Sequence, residues 1–278
     1  MLPNVIVIGA AKCGTTSLHE YLDAHPAISM TREKELSFFV EEKNWRLGRA
    51  WYEAQFERES PVRGESSPAY TAFPLYQGVP ERMARTVPDA RLVYLVRDPV
   101  ERIVSHYSHR TVNWPEMGSL EAALGDPGMR EWLVTPSRYW KQLEQYLRLF
   151  PEEQLLVLDS DDLRAHGDAT LAAVFAFLGV DSSFRSLGFT LSHNVAQGRR
   201  RQTRAGRAVS SALDRTLGPR AAQALRTRAP APLKAPFRHE VGAPVLPGPL
   251  REELEEELRP EVDRLRAHTG LALAGWSI

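Results

Sequence analysis

A nine-residue stretch near the amino terminus has the composition and spacing of an anion-binding loop. Glycines at positions 9 and 14 enclose a lysine, and the chain continues as Thr15-Thr16-Ser17. Glycines let the backbone approach an anion closely, and successive N–H groups at the start of a helix present partial positive charge to it. The segment from Gly9 to Ser17 is therefore predicted to bind a phosphate or a similar oxyanion.

The position of the lysine distinguishes this loop from that of nucleoside triphosphatases. Their motif places a lysine and then Ser or Thr directly after the second glycine. Here Thr15 stands at that position, and the lysine lies inside the loop as Lys12. A kinase or triphosphatase with an altered loop is an alternative, but the acidic residues Asp159, Asp161 and Asp162 fit a helix N-terminus better than a magnesium site. A tight turn without a ligand is a further alternative, and it leaves Lys12 without a purpose.

A second candidate anion site follows another apolar run, at residues 92–96. The sequence there reads Arg97-Asp98-Pro99-Val100-Glu101-Arg102-Ile103-Val104-Ser105. Pro99 suits the first turn of a helix. Arg97 at the carboxyl end of a strand and Ser105 two turns into the helix could then converge on one phosphate. The alternative is that Arg97 and Asp98 form a solvated pair that caps the helix.

The hydrophobic pattern predicts the elements that position these residues. Short, continuous apolar runs at 5–8, 92–96 and 155–158 indicate buried strands, and helical spacing appears at 15–24, 139–150, 161–178 and 249–268. Gly179 is placed as a C-terminal cap. Buried strands that alternate with helices are typical of a parallel sheet covered on both faces. We predict an α/β fold, a single domain over residues 1–278 with a central parallel sheet flanked by helices.

Composition excludes several classes of protein. Thirty-five basic residues balance 35 acidic ones, so the chain lacks the global field of a nucleic-acid binder. One cysteine, Cys13, excludes an internal disulfide framework and a multi-cysteine zinc site. The apolar runs are too short to cross a membrane, and no charged segment precedes the first one. These features predict a cytoplasmic protein, and the excess of Arg and Ala favours a bacterial source.

The two motifs together resemble the sulfotransferases that use 3'-phosphoadenosine 5'-phosphosulfate as sulfuryl donor. That resemblance implies a P-loop, nucleotide-kinase-like fold, no metal, and a 5'-phosphosulfate loop made of Lys12, Cys13, Gly14, Thr15, Thr16 and Ser17. It also implies that Arg97 and Ser105 bind the 3'-phosphate. We expect Lys12 to neutralise the charge that develops on the oxygen bridging sulfur and phosphorus.

Two further stretches are similar to the branch that sulfates heparan-type glycans and to its bacterial relatives. They are Lys34-Glu35-Leu36-Ser37-Phe38-Phe39 and Gly64-Glu65-Ser66-Ser67-Pro68-Ala69-Tyr70. The resemblance implies that Glu65 is the catalytic glutamate. A short strand predicted at 62–64 would place Glu65 at a strand end facing the cleft, where a carboxylate can take the acceptor's proton. An exposed loop acid is the alternative. His109, on the same helix as Ser105, matches a histidine of some relatives and is the next candidate base or acceptor contact.

The later part of the chain departs from the resemblance. Relatives close a Lys-Gly-Arg loop over the 3'-phosphate, whereas this chain has Gln197-Gly198-Arg199, so Arg200 or Arg201 would replace the lysine. Residues 199–249 are rich in Arg and Pro. The basic part, 199–238, is either a solvated face or a surface that attracts an anionic or membrane-resident acceptor. The acceptor class left open is a glycan, a glycolipid or a secondary metabolite, and a non-catalytic nucleotide-binding protein is the last alternative.

Overall fold

The computed structural model describes residues 1–113, 118–190, 200–202, 216, 238–240 and 244–278. Five strands form the main sheet: β1 Val5–Gly9, β2 Ile28–Met30, β3 Val62–Ser66, β4 Arg91–Val96 and β5 Leu155–Asp159. Two short strands, β6 Arg200–Gln202 and β7 Arg238–Glu240, form a separate antiparallel pair.

Ten α-helices lie within the described ranges. In chain order they are α1 Thr15–Asp23, α2 Gly48–Glu53, α3 Val79–Thr86, α4 Pro99–Asn113, α5 Leu120–Gly125, α6 Pro127–Val134, α7 Tyr139–Leu147, α8 Ser160–Ala165, α9 Gly167–Leu178 and α10 Gly248–Thr269. None of the helices in the described part of the chain is both long and apolar enough to cross a membrane.

The main sheet is parallel throughout, with the strand order β2-β3-β1-β4-β5. Every residue of β1 is buried, as is every residue of β4 after its first. Continuous apolar runs suit such strands because helices cover both faces of the sheet. This architecture confirms the predicted α/β class with a central parallel sheet.

The predicted helix over 161–178 is wrong in one respect, because two helices occupy that range. His166 separates α8 from α9 with φ −130° and ψ 42°, which is outside the helical region. Gly179 ends α9 in the left-handed conformation, with φ 73°, as predicted for a C-terminal cap. The predicted strand at 62–64 extends to Ser66, two residues further than the sequence indicated.

The carboxyl-terminal region fastens the helices to the sheet. Helix α10 buries a stripe of four residues, Leu254, Leu258, Val262 and Leu265. Beyond the helix, the Trp276 indole N–H donates to Asp159 Oδ2 at 3.1 Å, and the Ser277 N–H donates to Asp98 Oδ2 at 2.5 Å. These two bonds connect residues 276 and 277 to the last residue of β5 and to the second residue after β4.

The strand order fixes where a ligand can bind. The chain moves from β1 outward to β2, returns to β3 beside β1, and then crosses to β4 on the other side of β1. In open parallel sheets, ligands bind beyond the carboxyl ends of the strands at such a reversal. The loops that follow β1 and β4 lie at this point, and they are the two segments that the sequence singled out.

Close contact between strands requires a glycine at position 64, which gives a test of the packing. A Cβ at Gly64 would lie 2.5 Å from Val5 Cγ1 and 2.8 Å from Met30 Sδ. Gly64→Ala should therefore lower the free energy of unfolding by about 1 to 3 kcal/mol, measured by urea denaturation. Gly125→Ala is the matched control, because nothing lies within 4 Å of its added Cβ. Equal stability of the two variants would contradict the packing described here.

Candidate active site

The loop between β1 and α1 has a backbone shaped to surround an anion. Lys12 and Gly14 adopt left-handed conformations, with φ 74° and 89°. The loop is anchored by Ala10, whose N–H donates to Leu95 O at 2.6 Å, and by the Cys13 N–H, which donates to Ala10 O at 3.2 Å. No side chain caps the N-terminus of α1. The first N–H groups of this helix are therefore available to a bound anion.

The side chains of this loop differ in their exposure. Lys12, Thr16 and Ser17 are half-buried, Gly14 is exposed and Thr15 is buried. Cys13 is buried as well.

Cys13 faces the protein interior rather than the cleft. Its thiol lies 3.7 Å from the Tyr139 hydroxyl. Burial raises the pKa of Cys13 to about 11, and the Arg102 guanidinium opposes that shift only in part. The helix terminus would lower the pKa of a thiol, but burial dominates here. Cys13 therefore serves this loop as a small, protonated side chain.

The second predicted anion site starts directly after β4. The Tyr139 hydroxyl donates to Arg97 O at 2.7 Å and so fixes the backbone of Arg97. Asp98 caps α4 by accepting from the Glu101 N–H at 2.8 Å. Within the described ranges, Arg97 forms no ion pair with Asp98 or any other carboxylate. Asp98 therefore caps the helix as the alternative predicted, but it is buried and does not form the predicted solvated pair with Arg97.

Ser105 and His109 lie further along α4. Ser105 is half-buried and His109 is exposed. Both belong to α4, which begins two residues after Arg97. Their roles stay predictions.

Arg102 connects α4 to the first loop, and sequence reasoning did not assign it a role. Its side chain is completely buried. The guanidinium donates to Ala11 O at 3.5 Å, to Ser137 Oγ at 2.5 Å and to Leu133 O. It therefore holds a carbonyl of the anion-binding loop in place. The only sequence signal was an arginine one helical turn after Asp98.

His106, one turn after Arg102, is a neutral histidine. Its Nδ1 lies 3.3 Å from Arg102 Nη1. Because a guanidinium only donates, Nδ1 accepts and the ring proton is on Nε2. Burial lowers the pKa of His106 to about 2, and the charge of Arg102 acts in the same direction.

The sequence predicts a cleft-facing Glu65, and the structure corrects this prediction. Glu65 lies within β3 and is 0% exposed. Its Oε1 accepts from the hydroxyls of Tyr52 at 2.7 Å and Tyr70 at 2.6 Å, and its Oε2 accepts from Ser67 Oγ at 2.5 Å. Burial raises the pKa of Glu65, while the three hydroxyl donors lower it. A carboxylate enclosed in this way does not face the cleft, so the predicted orientation of Glu65 is wrong.

Lys34 and Glu35 lie beside the start of α1, and the sequence alone assigned neither of them a role. Lys34 Nζ donates to Thr15 Oγ1 at 3.3 Å and to Glu35 Oε1 at 3.4 Å. The Glu35 side chain is 62% exposed. The structure therefore places an accessible carboxylate beside the start of α1, in the segment that follows β2. The signal that could have found it was the Lys34-Glu35 pair itself.

The remaining predicted donor contacts belong to the late loop. Gly198 and Arg199 lie outside the described residues, as does most of the basic segment 199–238 with its predicted membrane or acceptor contact. Arg200 begins β6, where it pairs with Glu240 of β7. The part of the predicted domain at 199–249 is therefore described only at short stretches.

Several known proteins share sequence or fold with this chain. A model of the sulfotransferase domain matches residues 2–208. Heparan sulfate glucosamine 3-O-sulfotransferase 5 of Mus musculus is 30% identical over 208 residues, which cover 71% of this chain and 58% of that protein. Bifunctional heparan sulfate N-deacetylase/N-sulfotransferase 2 of Bos taurus is 28% identical over 200 residues, 64% of this chain and 22% of that protein.

A solved structure shares the fold over its whole length. The sulfotransferase from Alicyclobacillus acidocaldarius superposes with a TM-score of 0.72 at 24% identity, covering 100% of both chains. The chain spans less than two thirds of the length of the two curated relatives. The family model nevertheless matches well over half of the chain, and the loop after β1 and the segment after β4 both fall within the match. This chain belongs to the sulfotransferase family.

Proposed function

We propose that this chain transfers a sulfuryl group from 3'-phosphoadenosine 5'-phosphosulfate to a hydroxyl or amine of a glycan or small-molecule acceptor. The observation that carries the proposal is the meeting of two anion-binding segments at one sheet edge. The loop at 10–14 offers Lys12 and the open N-terminus of α1. Arg97 follows β4 directly and has no carboxylate partner among the described residues. Two separate anion sites suit a donor with phosphates at both its 3' and 5' positions.

Different residues are assigned to the leaving group and to the acceptor's proton. The acceptor oxygen or nitrogen bonds to sulfur as the bond from sulfur to the bridging oxygen breaks, which leaves adenosine 3',5'-bisphosphate. Lys12 stabilises the charge that develops on the bridging oxygen. A carboxylate takes the acceptor's proton. Glu35 suits this task because it is exposed and stands beside the start of α1, whereas Glu65 is enclosed.

The acceptor side next to Glu35 combines cations with aromatic rings. Lys43 Nζ lies 3.5 Å from Ser37 Oγ and 5.3 Å from the centre of the Tyr76 ring. Further along this side, the Arg110 guanidinium lies 3.9 Å from the centre of the Trp132 ring. Such a surface suits a polar acceptor with ring faces or negative charge, which supports a glycan or a secondary metabolite.

A turnover assay tests the proposed reaction against the kinase alternative. The protein is incubated with the phosphosulfate donor and a panel of glycan, phenol and amine acceptors, and release of adenosine 3',5'-bisphosphate is followed by chromatography. A parallel reaction contains ATP and Mg²⁺ and is assayed for ADP. We expect acceptor-dependent release in the first reaction. Phosphoryl transfer in the second, without sulfuryl transfer in the first, would establish the kinase alternative.

Arg97 should recognise the 3'-phosphate. Arg97→Ala should weaken binding of adenosine 3',5'-bisphosphate by about 1.5 to 3 kcal/mol and leave binding of adenosine 5'-monophosphate nearly unchanged, as measured by isothermal titration. Arg148→Ala, at an exposed residue paired with Glu144, is the control for loss of an arginine. Equal losses for both nucleotides would remove the assignment.

Turnover of the Glu35→Gln and Glu65→Gln variants identifies the residue that acts as the base. Glu35→Gln cannot accept a proton, so it should lower turnover by roughly 100-fold or more while affinity for adenosine 3',5'-bisphosphate stays unchanged. Glu65→Gln should keep most of the turnover, provided that the variant is folded. Full activity of Glu35→Gln together with an inactive, folded Glu65→Gln would return the role to Glu65, and activity lost only in His109→Ala would assign it to His109.

Glu65 should instead influence the pH dependence of stability. Burial raises its pKa in the folded protein above that in the unfolded chain. Its contribution is therefore complete below the ordinary carboxyl pKa and is lost as the pH rises through the raised value. Urea unfolding of Glu65→Gln should show a smaller fall in stability than the wild type as the pH rises from the ordinary carboxyl pKa towards neutrality. Parallel curves for the two proteins would contradict the raised pKa.

A further inference from the structure

Lys34 stands at the start of α1 although it comes from the segment after β2. Its ammonium lies 3.3 Å from Thr15 Oγ1, and Thr15 is the first residue of the helix. The same ammonium lies 3.4 Å from Glu35 Oε1. Lys34 therefore places a cation between the anion-binding loop and the proposed base.

This location is unfavourable for a cation in the absence of a bound anion. The N-terminus of a helix carries partial positive charge, and Lys12 lies in the same loop. The Lys34 side chain is only 18% exposed, while its partner Glu35 is 62% exposed, so solvent screens the pair. Burial lowers the pKa of Lys34, and the carboxylates of Glu35 and Glu20 oppose the shift.

The histidine beside Lys34 is neutral and adds no further positive charge. The neighbouring His19 donates from Nε2 to Thr31 O at 3.1 Å and accepts from the Ser66 hydroxyl at Nδ1, at 2.9 Å. Both ring nitrogens of this histidine are thus used in its neutral form. Burial lowers the pKa of His19, and the charge of Lys34 adds to that effect.

The segment that carries Lys34 is held in a strained conformation. Glu35 and Ser37 have left-handed backbones, with φ 64° and 48°, although neither is a glycine. The Glu35 N–H donates to Ser66 O at 2.9 Å, and the Ser37 N–H donates to Ser67 Oγ at 2.9 Å. Such conformations persist only where surrounding bonds hold them, and they cluster at functional sites.

We propose that Lys34 is a second catalytic lysine, which binds the sulfuryl oxygens of the donor while Lys12 serves the bridging oxygen. This inference rests on the proposed function. The ammonium neutralises the sulfuryl group as it passes from the donor to the acceptor, and its contact with Glu35 keeps the base beside the incoming acceptor. The bond to Thr15 holds the ammonium at the helix terminus where the sulfuryl group lies.

Equilibrium binding without acceptor separates this role from a structural one. Adenosine 3',5'-bisphosphate lacks the sulfuryl group, and the phosphosulfate donor has it. Lys34→Met should bind the bisphosphate within about twofold of the wild type but bind the donor at least about tenfold more weakly. It should also lower kcat at saturating donor. Lys34→Arg, which keeps the charge, should restore donor binding.

The bisphosphate titration also reports whether each variant is folded, and Lys34→Gln provides the same comparison if the methionine variant does not fold. Lys141→Met is the matched control, since its ammonium lies over the Phe73 ring. An unchanged ratio of donor to bisphosphate affinity in Lys34→Met would overturn the proposal, as would equal weakening of both ligands. A wild-type protein that binds neither ligand would instead refute the proposed function.

Discussion

The buried guanidinium of Arg102 is the interaction that holds the loop after β1 to α4 and α6. It lies at 0% exposure and donates to a carbonyl of the first loop, to a carbonyl at the end of α6 and to the Ser137 hydroxyl. A buried charge is costly unless it is hydrogen-bonded or paired. Among the described residues no carboxylate pairs with it, so its hydrogen bonds are what stabilise the buried charge behind the loop.

Tyr139 contacts both predicted anion-binding segments, the loop after β1 and the segment after β4. Its hydroxyl donates to Arg97 O and lies 3.7 Å from the Cys13 thiol. One residue of α7 therefore contacts both anion-binding segments, and their relative position depends on the packing of α7. The carboxyl terminus adds to this, because Ser277 and Trp276 bind the aspartates that cap α4 and α8. Residues from α7 and from the segment after α10 thus help to position the two predicted anion-binding segments.

Glu65 supports the acceptor side through a chain of hydrogen bonds. Its carboxylate accepts from Ser67 Oγ, which in turn accepts from the Ser37 N–H. Ser37 closes the strained segment that begins at Lys34 and Glu35. The buried Glu65 thereby helps to hold the segment that carries Lys34 and Glu35.

The strands and the loop that depend on a local residue pattern were predictable from the sequence. Apolar runs identified β1, β4 and β5, and glycine spacing identified the loop at 10–14, because both signals are carried by neighbouring residues. The burial of Glu65 was not predictable, since Tyr52 and Tyr70 enclose it from outside its own strand. Arg102 and Lys34 were missed for the same reason: each acquires its role from a contact distant in sequence, with Ala11 and Thr15 respectively. The break at His166 was missed because the apolar spacing continues across it.

The central claim is that this sheet edge is built for a nucleotide with phosphates at both its 3' and 5' positions, and calorimetry tests it directly. The wild-type protein is titrated with adenosine 3',5'-bisphosphate and, separately, with ATP and Mg²⁺. We expect saturable, one-to-one binding of the bisphosphate and much weaker binding of ATP. Lys12 lies inside the loop, and Arg97 is proposed to bind a 3'-phosphate, which ATP lacks. Tighter binding of ATP with Mg²⁺ than of the bisphosphate would contradict the central claim.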